Sequence, residues 1–320
     1  MTADTVLMVT ASYDIGPEYV GRALSSRGVP IFRLDTDKFP SEVLASFSPP
    51  HDVFLSNGPS AVLGSQIKSV WYRRHVSPDL PDDIDSGVRD FCKRETKAFL
   101  DGLLAVLPTD RWLSSPQAIA RAERKPYQLA VAAQLGFVVP ETLVTNDKAR
   151  VHELAERRRL IAKAVSSGYV ASPVGNKAIF TSALASDDLR DLSGLSLAPV
   201  TFQELVDKVS DIRVTVVADE VFAAEILSQD RKSSQIDWRA TDDPDLVHRK
   251  HDLSTDVARL CRQLVARLGL VFGAIDLALT QDGTYVFFEI NPNGEWLWLE
   301  DRLGFPISER LAQWLDSECS

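Results

Sequence analysis

The segment "FGAIDLALTQDGTYVFFEINPN" at residues 272–293 limits the possible fold more than any other stretch of the chain. Two runs with apolar residues at alternate positions flank Asp282-Gly283, and a period of two marks a strand with one buried face. An Asp-Gly pair between two such runs predicts a hairpin with a two-residue loop, because both residues of that turn need positive φ. Facing residue numbers then add to 565, as those of Asp282 and Gly283 do, so Asp276 lies opposite Glu289 and Asn291 shares their face. The other face carries Ile275, Leu277, Leu279, Val286, Phe288 and Ile290 and is the core side.

Opposed carboxylates repel, so the polar face requires either a cation or open water. Two carboxylates and an amide oxygen, with no His or Cys nearby, are hard donors suited to Mg²⁺, which keeps water or phosphate oxygens at its remaining positions. A solvent-facing hairpin whose acids are simply exposed is the competing reading. Four cations lie upstream. Lys125 opens the helix "KPYQLAVAAQL", Lys163 interrupts the apolar strand "LIAKAV", Arg213 alternates with Ile212 and Val214, and Arg239 sits in "DWR". Taken alone, each lysine reads as a solvated or edge lysine and each arginine as a surface ion pair. Together, ahead of a paired-carboxylate hairpin, they suit a triphosphate with magnesium, which needs charge neutralisation and bidentate oxygen contacts. The loop 166–176 either closes over phosphates through its N–H groups or is a long hairpin turn.

At 320 residues the chain exceeds what one hydrophobic core usually serves, so two or three domains are expected. "TVLMVT" (5–10), a helix from about Pro17 to Arg27, and "VPIFRL" (29–34) form a βαβ unit and hence a parallel sheet. The turn "ASYDIGPE" lacks GxGxxG, so Asp35 does not read as the ribose-binding acid of a nicotinamide site. A strand at 69–75 and a helix at 83–107 complete this α/β part, and α+β material follows. Net charge of −10 argues against nucleic acid as a partner. Cys92, Cys261 and Cys319 are odd in number and far apart, which suits neither a disulfide framework nor a zinc site and points to a reducing cytoplasm. The start "MTADTVLMVT" has no basic region, and no run approaches the roughly 18 apolar residues of a membrane span. Neither export nor a membrane partner is expected.

In this order, Lys125, Lys163, "QELV" at 203–206, Asp211 with Arg213, Asp276, and "EINPN" at 289–293 resemble the ATP-grasp superfamily over roughly residues 114–300. "WYRR" (71–74), "PETLVTND" (140–147), "DWR" (237–239) and "EINPNGEWLWLE" (289–300) resemble its ribosomal peptide maturases, the graspetide or microviridin-type synthetases related to RimK-type ligases. The resemblance implies an α/β and α+β architecture, the ATP-grasp fold with an N-terminal pre-ATP-grasp α/β domain. That domain spans 1–112, a central ATP-grasp subdomain with a phosphate-covering loop 113–200, and a C-terminal subdomain with the metal-binding hairpin 201–320. It further implies ATP and Mg²⁺ as cofactors. Lys125 and Lys163 would hold phosphates and adenine, Gln203, Glu204, Leu205 and Val206 would meet adenine, and Asp211 would lie in the nucleotide site. Arg213 and Arg239 would be catalytic, facing the γ-phosphate and the developing acyl phosphate, and Asp276, Glu289 and Asn291 would hold magnesium.

The activity implied is an ATP-dependent carboxylate–amine or carboxylate–alcohol ligase. It activates side-chain carboxylates of a ribosomal precursor peptide, leader plus core, and closes ester or amide cross-links within it. A RimK-like ligase that adds an amino acid to a protein or small carboxylate is the alternative, and the assembly, a homodimer included, is left open. A nucleotide sensor that does not ligate would be expected to lose some of Lys163, Arg239, Asp276, Glu289 and Asn291, yet all five are present. Glu295 stands where relatives often carry Gln, and "SSPQ" replaces a more usual Asn-Pro. Trp296 and Trp298, alternating on one face, belong either to a peptide contact or to the core.

Overall fold

The computed structural model describes residues 4–166, 168–170, 177–179, 181–240 and 246–317. The chain divides into two units, one of Met1–Pro116 with Phe305–Ser320 and the other of Gln117–Gly304.

The first unit is built on β1 (Thr5–Thr10), α1 (Gly16–Ser26), β2 (Ile31–Asp35), β3 (Leu44–Ser48), β4 (Asp52–Ser56), β5 (Ala61–Leu63), β6 (Ile67–Tyr72) and α2 (Ser86–Ala105). All six residues of β1 are buried, as expected of a central parallel strand covered on both faces, and β1 pairs in parallel with β2 and β6. Pro17 suits the first turn of α1, where its missing N–H costs nothing. Val20 and Leu24, four residues apart, form the buried stripe of that helix. Asp85 caps α2 by accepting from the N–H groups of Gly87 and Val88, which places the start of the helix three residues after the expected one. Leu7, Val9, Phe32, Leu34 and Leu100 share one core with the antiparallel sheet β3-β4-β5. The strand expected to run to His75 stops at Tyr72. Arg73, 1% exposed, still donates its N–H to the Val9 carbonyl at 2.9 Å, and its side chain pairs with Asp14 at 3.2 Å.

The second unit runs through α3 (Pro116–Ala122), α4 (Lys125–Leu135), β7 (Thr142–Thr145), α5 (Lys148–Ala155), β8 (Leu160–Lys163), β9 (Tyr169–Val170), β10 (Lys177–Ala178), β11 (Ser182–Ala183) and β12 (Val200–Glu204). It continues through β13 (Lys208–Val217), β14 (Glu220–Ile226), β15 (His248–Lys250), α6 (Thr255–Arg267), β16 (Phe272–Thr280), β17 (Tyr285–Asn291) and α7 (Leu297–Leu303). Gly136 ends α4 with φ +97°, the left-handed cap its position suggests. Two antiparallel sheets dominate, in the orders β11-β8-β12-β7 and β15-β14-β13-β16-β17. Cys261 in α6 is fully buried, and burial pushes its thiol up to about 12, so it packs rather than reacts. The chain then returns to the first unit as α8 (Ile307–Asp316), where Ser69 donates from its hydroxyl to the Leu315 carbonyl at 2.8 Å. Among the described residues no helix is long and apolar enough to cross a membrane.

The β16–β17 hairpin corrects the two-residue loop. Leu279 pairs with Tyr285, the Thr280 N–H donates to the Thr284 carbonyl at 3.0 Å, and Gly283 takes φ +84°. The loop is therefore Gln281, Asp282 and Gly283, with only the glycine left-handed, one of the common three-residue hairpin forms. That change alone would set Asp276 against Phe288. A bulge at Phe288 restores the register, so Asp276 faces Glu289 and Ala274 faces Asn291. Two one-residue shifts offset each other, and the expected pairing of the acids stands. The aromatic residues exchange places instead: Phe287 is the fully buried core residue, and Phe288 faces the cleft described next.

Candidate functional site

Strands β8, β12, β13, β16 and β17, the start of α4 and residues 235–239 enclose a cleft of about 600 Å³ in the second unit. Alternation along β16 and β17 turns Asp276 and Glu289 into it, opposite one another. Lys125, Lys163, Gln203, Glu204, Leu205, Val206, Asp211, Arg239 and Asn291 also line it. Arg213 stands behind Asp276, 6% exposed, its Nη1 donating to both carboxylate oxygens at 2.8 and 2.9 Å. The expected site residues thus come together from five strands, the start of α4, the link after β12 and the turn that carries Arg239. Of the loop 166–176, residues 167 and 171–176 lie outside the described residues, while Ser166 and Gly168 border the cleft.

The two acids do not confront each other bare. Glu289 accepts from Lys125 Nζ at 2.9 Å and from Arg239 Nη1 at 2.7 Å. Burial would raise the Glu289 carboxyl, but Arg239 and Lys125 outweigh it and hold the group well below the usual carboxylate range. Burial likewise opposes the charge on Arg239, yet Asp237 and Glu289 raise its pKa further. The cation required by the hairpin is thus met within the chain, by guanidinium and ammonium groups that phosphate oxygens can draw away.

Lys163 donates to Gln203 Oε1 at 3.0 Å, Gln203 Nε2 donates to Thr142 Oγ1 at 2.8 Å, and Thr142 donates to the Pro140 carbonyl at 2.8 Å. This chain fixes the direction of each amide and hydroxyl. Burial lowers Lys163 to about 8, with Lys125 and Arg239 adding repulsion and Glu289 opposing them. Arriving negative charge would favour its ammonium form, so the lysine is poised to stabilise an anion.

Sequence reasoning missed two polar partners. Asp237 holds Arg239 through Oδ1 to Nε at 2.9 Å and Oδ2 to Nη2 at 3.1 Å; the acid two residues before the arginine in "DWR" was the available signal. Lys208 pairs with Asp211 at 2.7 Å and donates to the Ile236 carbonyl at 3.3 Å. Residues three apart in a regular strand point to opposite faces, but an irregularity between Lys208 and Ser210 brings these two together. Burial raises Asp211 in spite of that lysine.

The glycine of "NPNG" answers to a close approach: a Cβ on Gly294 would lie 2.3 Å from Ala274 Cβ and 2.9 Å from Arg213 Nη2. The two tryptophans part company. Trp296, 1% exposed, packs edge-on against Phe272 in the core, whereas Trp298, in the first turn of α7, lies 5.5 Å from the ring of Trp238, which borders the cleft. Among the described residues no group of three or more His, Cys, Asp or Glu could hold a metal. The donors that the β16–β17 hairpin turns into the cleft are the Asp276 and Glu289 carboxylates and the Asn291 amide, all hard oxygens.

Residues 5–120 match the MvdD pre-ATP grasp domain and residues 122–315 the RimK-like ATP-grasp domain. No curated protein matches the chain. The crystal structure of macrocyclase MdnC from Microcystis aeruginosa MRC, bound with precursor peptide MdnA, is similar at 34% identity and a TM-score of 0.88. That alignment covers 97% of this chain and 99% of that one. A Chryseobacterium gregarium RiPP-associated ATP-grasp ligase in complex with ADP and a leader and core peptide is similar at 25% identity, TM-score 0.89, covering 99% and 100%. The ATP-grasp ligase PsnB complexed with minimal precursor, Mg and ADP is similar at 25% identity, TM-score 0.77, covering 97% and 96%.

Proposed function

The chain belongs to the RimK-like ATP-grasp family, and from that premise we propose that it is an ATP-dependent ligase that closes ester or amide cross-links within a ribosomal precursor peptide. The observation that carries this reading is the cleft itself, where Asp276 and Glu289 face each other under Lys125, Lys163 and Arg239. Its volume suits a nucleotide. A peptide rather than a free amino acid is favoured by the full-length similarity to a macrocyclase bound with its precursor.

Asp276, Glu289 and Asn291 fit Mg²⁺ by donor chemistry and would hold it; the ion would neutralise phosphate charge and orient its oxygens. Lys125 and Lys163 bind phosphates, Gln203 to Val206 meet the adenine, and Asp211 borders the nucleotide. A side-chain carboxylate of the peptide attacks the γ-phosphorus, giving an acyl phosphate and ADP. Arg213 and Arg239 neutralise the charge that develops on the transferred group. A hydroxyl or amine of the same peptide then attacks the acyl carbon, loses its proton, and phosphate departs. Intramolecular attack gains from the high effective concentration of groups held in one site.

The functional partition we propose is pre-ATP-grasp domain 1–112, central subdomain 113–200 and C-terminal subdomain 201–320, supported by the family boundary at residues 120 to 122. We place the enzyme in the cytoplasm, where ATP is at hand and free thiols such as Cys92 and Cys261 persist. Mass spectrometry of the cognate precursor, incubated with enzyme and ATP but no added amino acid, tests the reading. Each closed bond should remove the mass of one water. A gain by one amino-acid residue, with dependence on free amino acid, would establish the RimK-like alternative instead.

A further inference from the structure

Strand β17 is the last in the order β15-β14-β13-β16-β17, and the outward main-chain groups of an edge strand need partners of another kind. The Phe287 N–H finds the Val138 carbonyl at 2.8 Å. Ile290 finds a side chain. Its N–H donates to Gln128 Oε1 at 3.1 Å, and Gln128 Nε2 donates to the Ile290 carbonyl at 2.8 Å and to the Ala122 carbonyl at 2.6 Å. Gln128 is 3% exposed. Turning its amide over would set donor against donor and acceptor against acceptor, so its orientation is fixed. The amide thus takes the place that a neighbouring strand's peptide would fill.

The clamped residue lies between Glu289 and Asn291. The Ile290 side chain is core, 2% exposed, while both neighbours face the cleft, so a small rotation of the Ile290 backbone would swing the two oxygen donors together. Gln128 also follows Lys125 by three residues in α4 and shares its helix face. One helix therefore presents the ion-pair partner of Glu289 and the clamp on the main chain beside it. We infer that Gln128 is a positioning residue for the metal-binding edge of β17, fixing Glu289 and Asn291 at the spacing Mg²⁺ demands. This inference rests on the metal reading above. Magnesium tolerates little departure from octahedral geometry, and partners that orient metal ligands typically carry about 10- to 100-fold of the affinity.

The test uses the full chain with ADP and reads Mn²⁺ binding by electron paramagnetic resonance. Gln128→Met keeps the side chain's length and removes all three hydrogen bonds; Gln128→Glu keeps only the acceptor for the Ile290 N–H. The methionine variant should bind Mn²⁺ at least about tenfold more weakly, with the glutamate variant also weakened and metal-free ADP affinity unchanged in both. The glutamate variant carries the test alone if the methionine variant does not fold. Wild-type Mn²⁺ affinity in a folded variant overturns the inference while leaving the metal reading in place. Failure of the wild type itself to bind Mn²⁺ removes the metal reading, and the inference with it.

Discussion

Replacing Glu289 with alanine should lower cross-linking turnover by on the order of a thousandfold, the scale for removing one preorganised electrostatic group from a catalytic site. It should also lower stability. With only the sequence in view, two facing acids repel, and removing one would leave the fold intact or relieve it. The structure reverses that sign. Glu289 is the shared acceptor of Lys125 and Arg239, and its side chain is 14% exposed, while those of Lys125 and Arg239 are 25% and 47% exposed and partly screened by water. Deleting it leaves both cations, with Lys163 nearby, without their common counter-charge. Because both cations are partly solvated and Asp237 still holds Arg239, the loss costs roughly 1–3 kcal/mol. Calorimetric melting and precursor turnover at saturating magnesium check both halves, and full activity with an unchanged melting temperature would sink the assignment.

Arg213→Met should cost more stability, because its pair is more deeply buried. Arg213 and Asp276 are cross-strand neighbours with side chains 7% and 11% exposed, so the variant strands a carboxylate in a poorly solvated place. Its cost is about 3–5 kcal/mol, while replacing both partners of such a pair is often close to neutral. Arg213→Met with Asp276→Asn should therefore recover much of the lost stability. Activity should not follow, because the guanidinium and one of the two carboxylate charges at the metal site are then both missing. A double variant that regains turnover along with its melting temperature would show that the pair is structural only.

The hairpin explains which features the sequence made legible. Alternation and the Asp-Gly pair were enough to place Asp276 across from Glu289, since burying one face ties each polar residue to the other. Loop length and the bulge at Phe288 were not legible, because each shifts the register by one and their sum is zero. The exchange of Phe287 for Phe288 in the core is the visible trace of both. Lys208 and Asp211 were hidden by the same kind of irregularity, one strand over. The partners of Glu289 were out of reach for a broader reason. Lys125 lies 164 residues away and Arg239 50, and polarity patterns record which side a residue faces, not which distant charge meets it. Nor does the pattern of α8 show that its apolar face belongs with the first unit. The order of Lys125, Lys163, "QELV", Asp276 and "EINPN" carried the family, and the matches over residues 5–120 and 122–315 agree with it.

The central claim is that ATP activates a peptide carboxylate, and one measurement reads it directly. A cognate precursor whose acidic side chains carry heavy oxygen is incubated with enzyme and unlabelled ATP, and the released phosphate is analysed by mass. If the carboxylate attacks phosphorus and phosphate later leaves the acyl carbon, one labelled oxygen passes from peptide to phosphate for every bond closed. Phosphate free of label, released alongside a cross-linked peptide, would contradict the account.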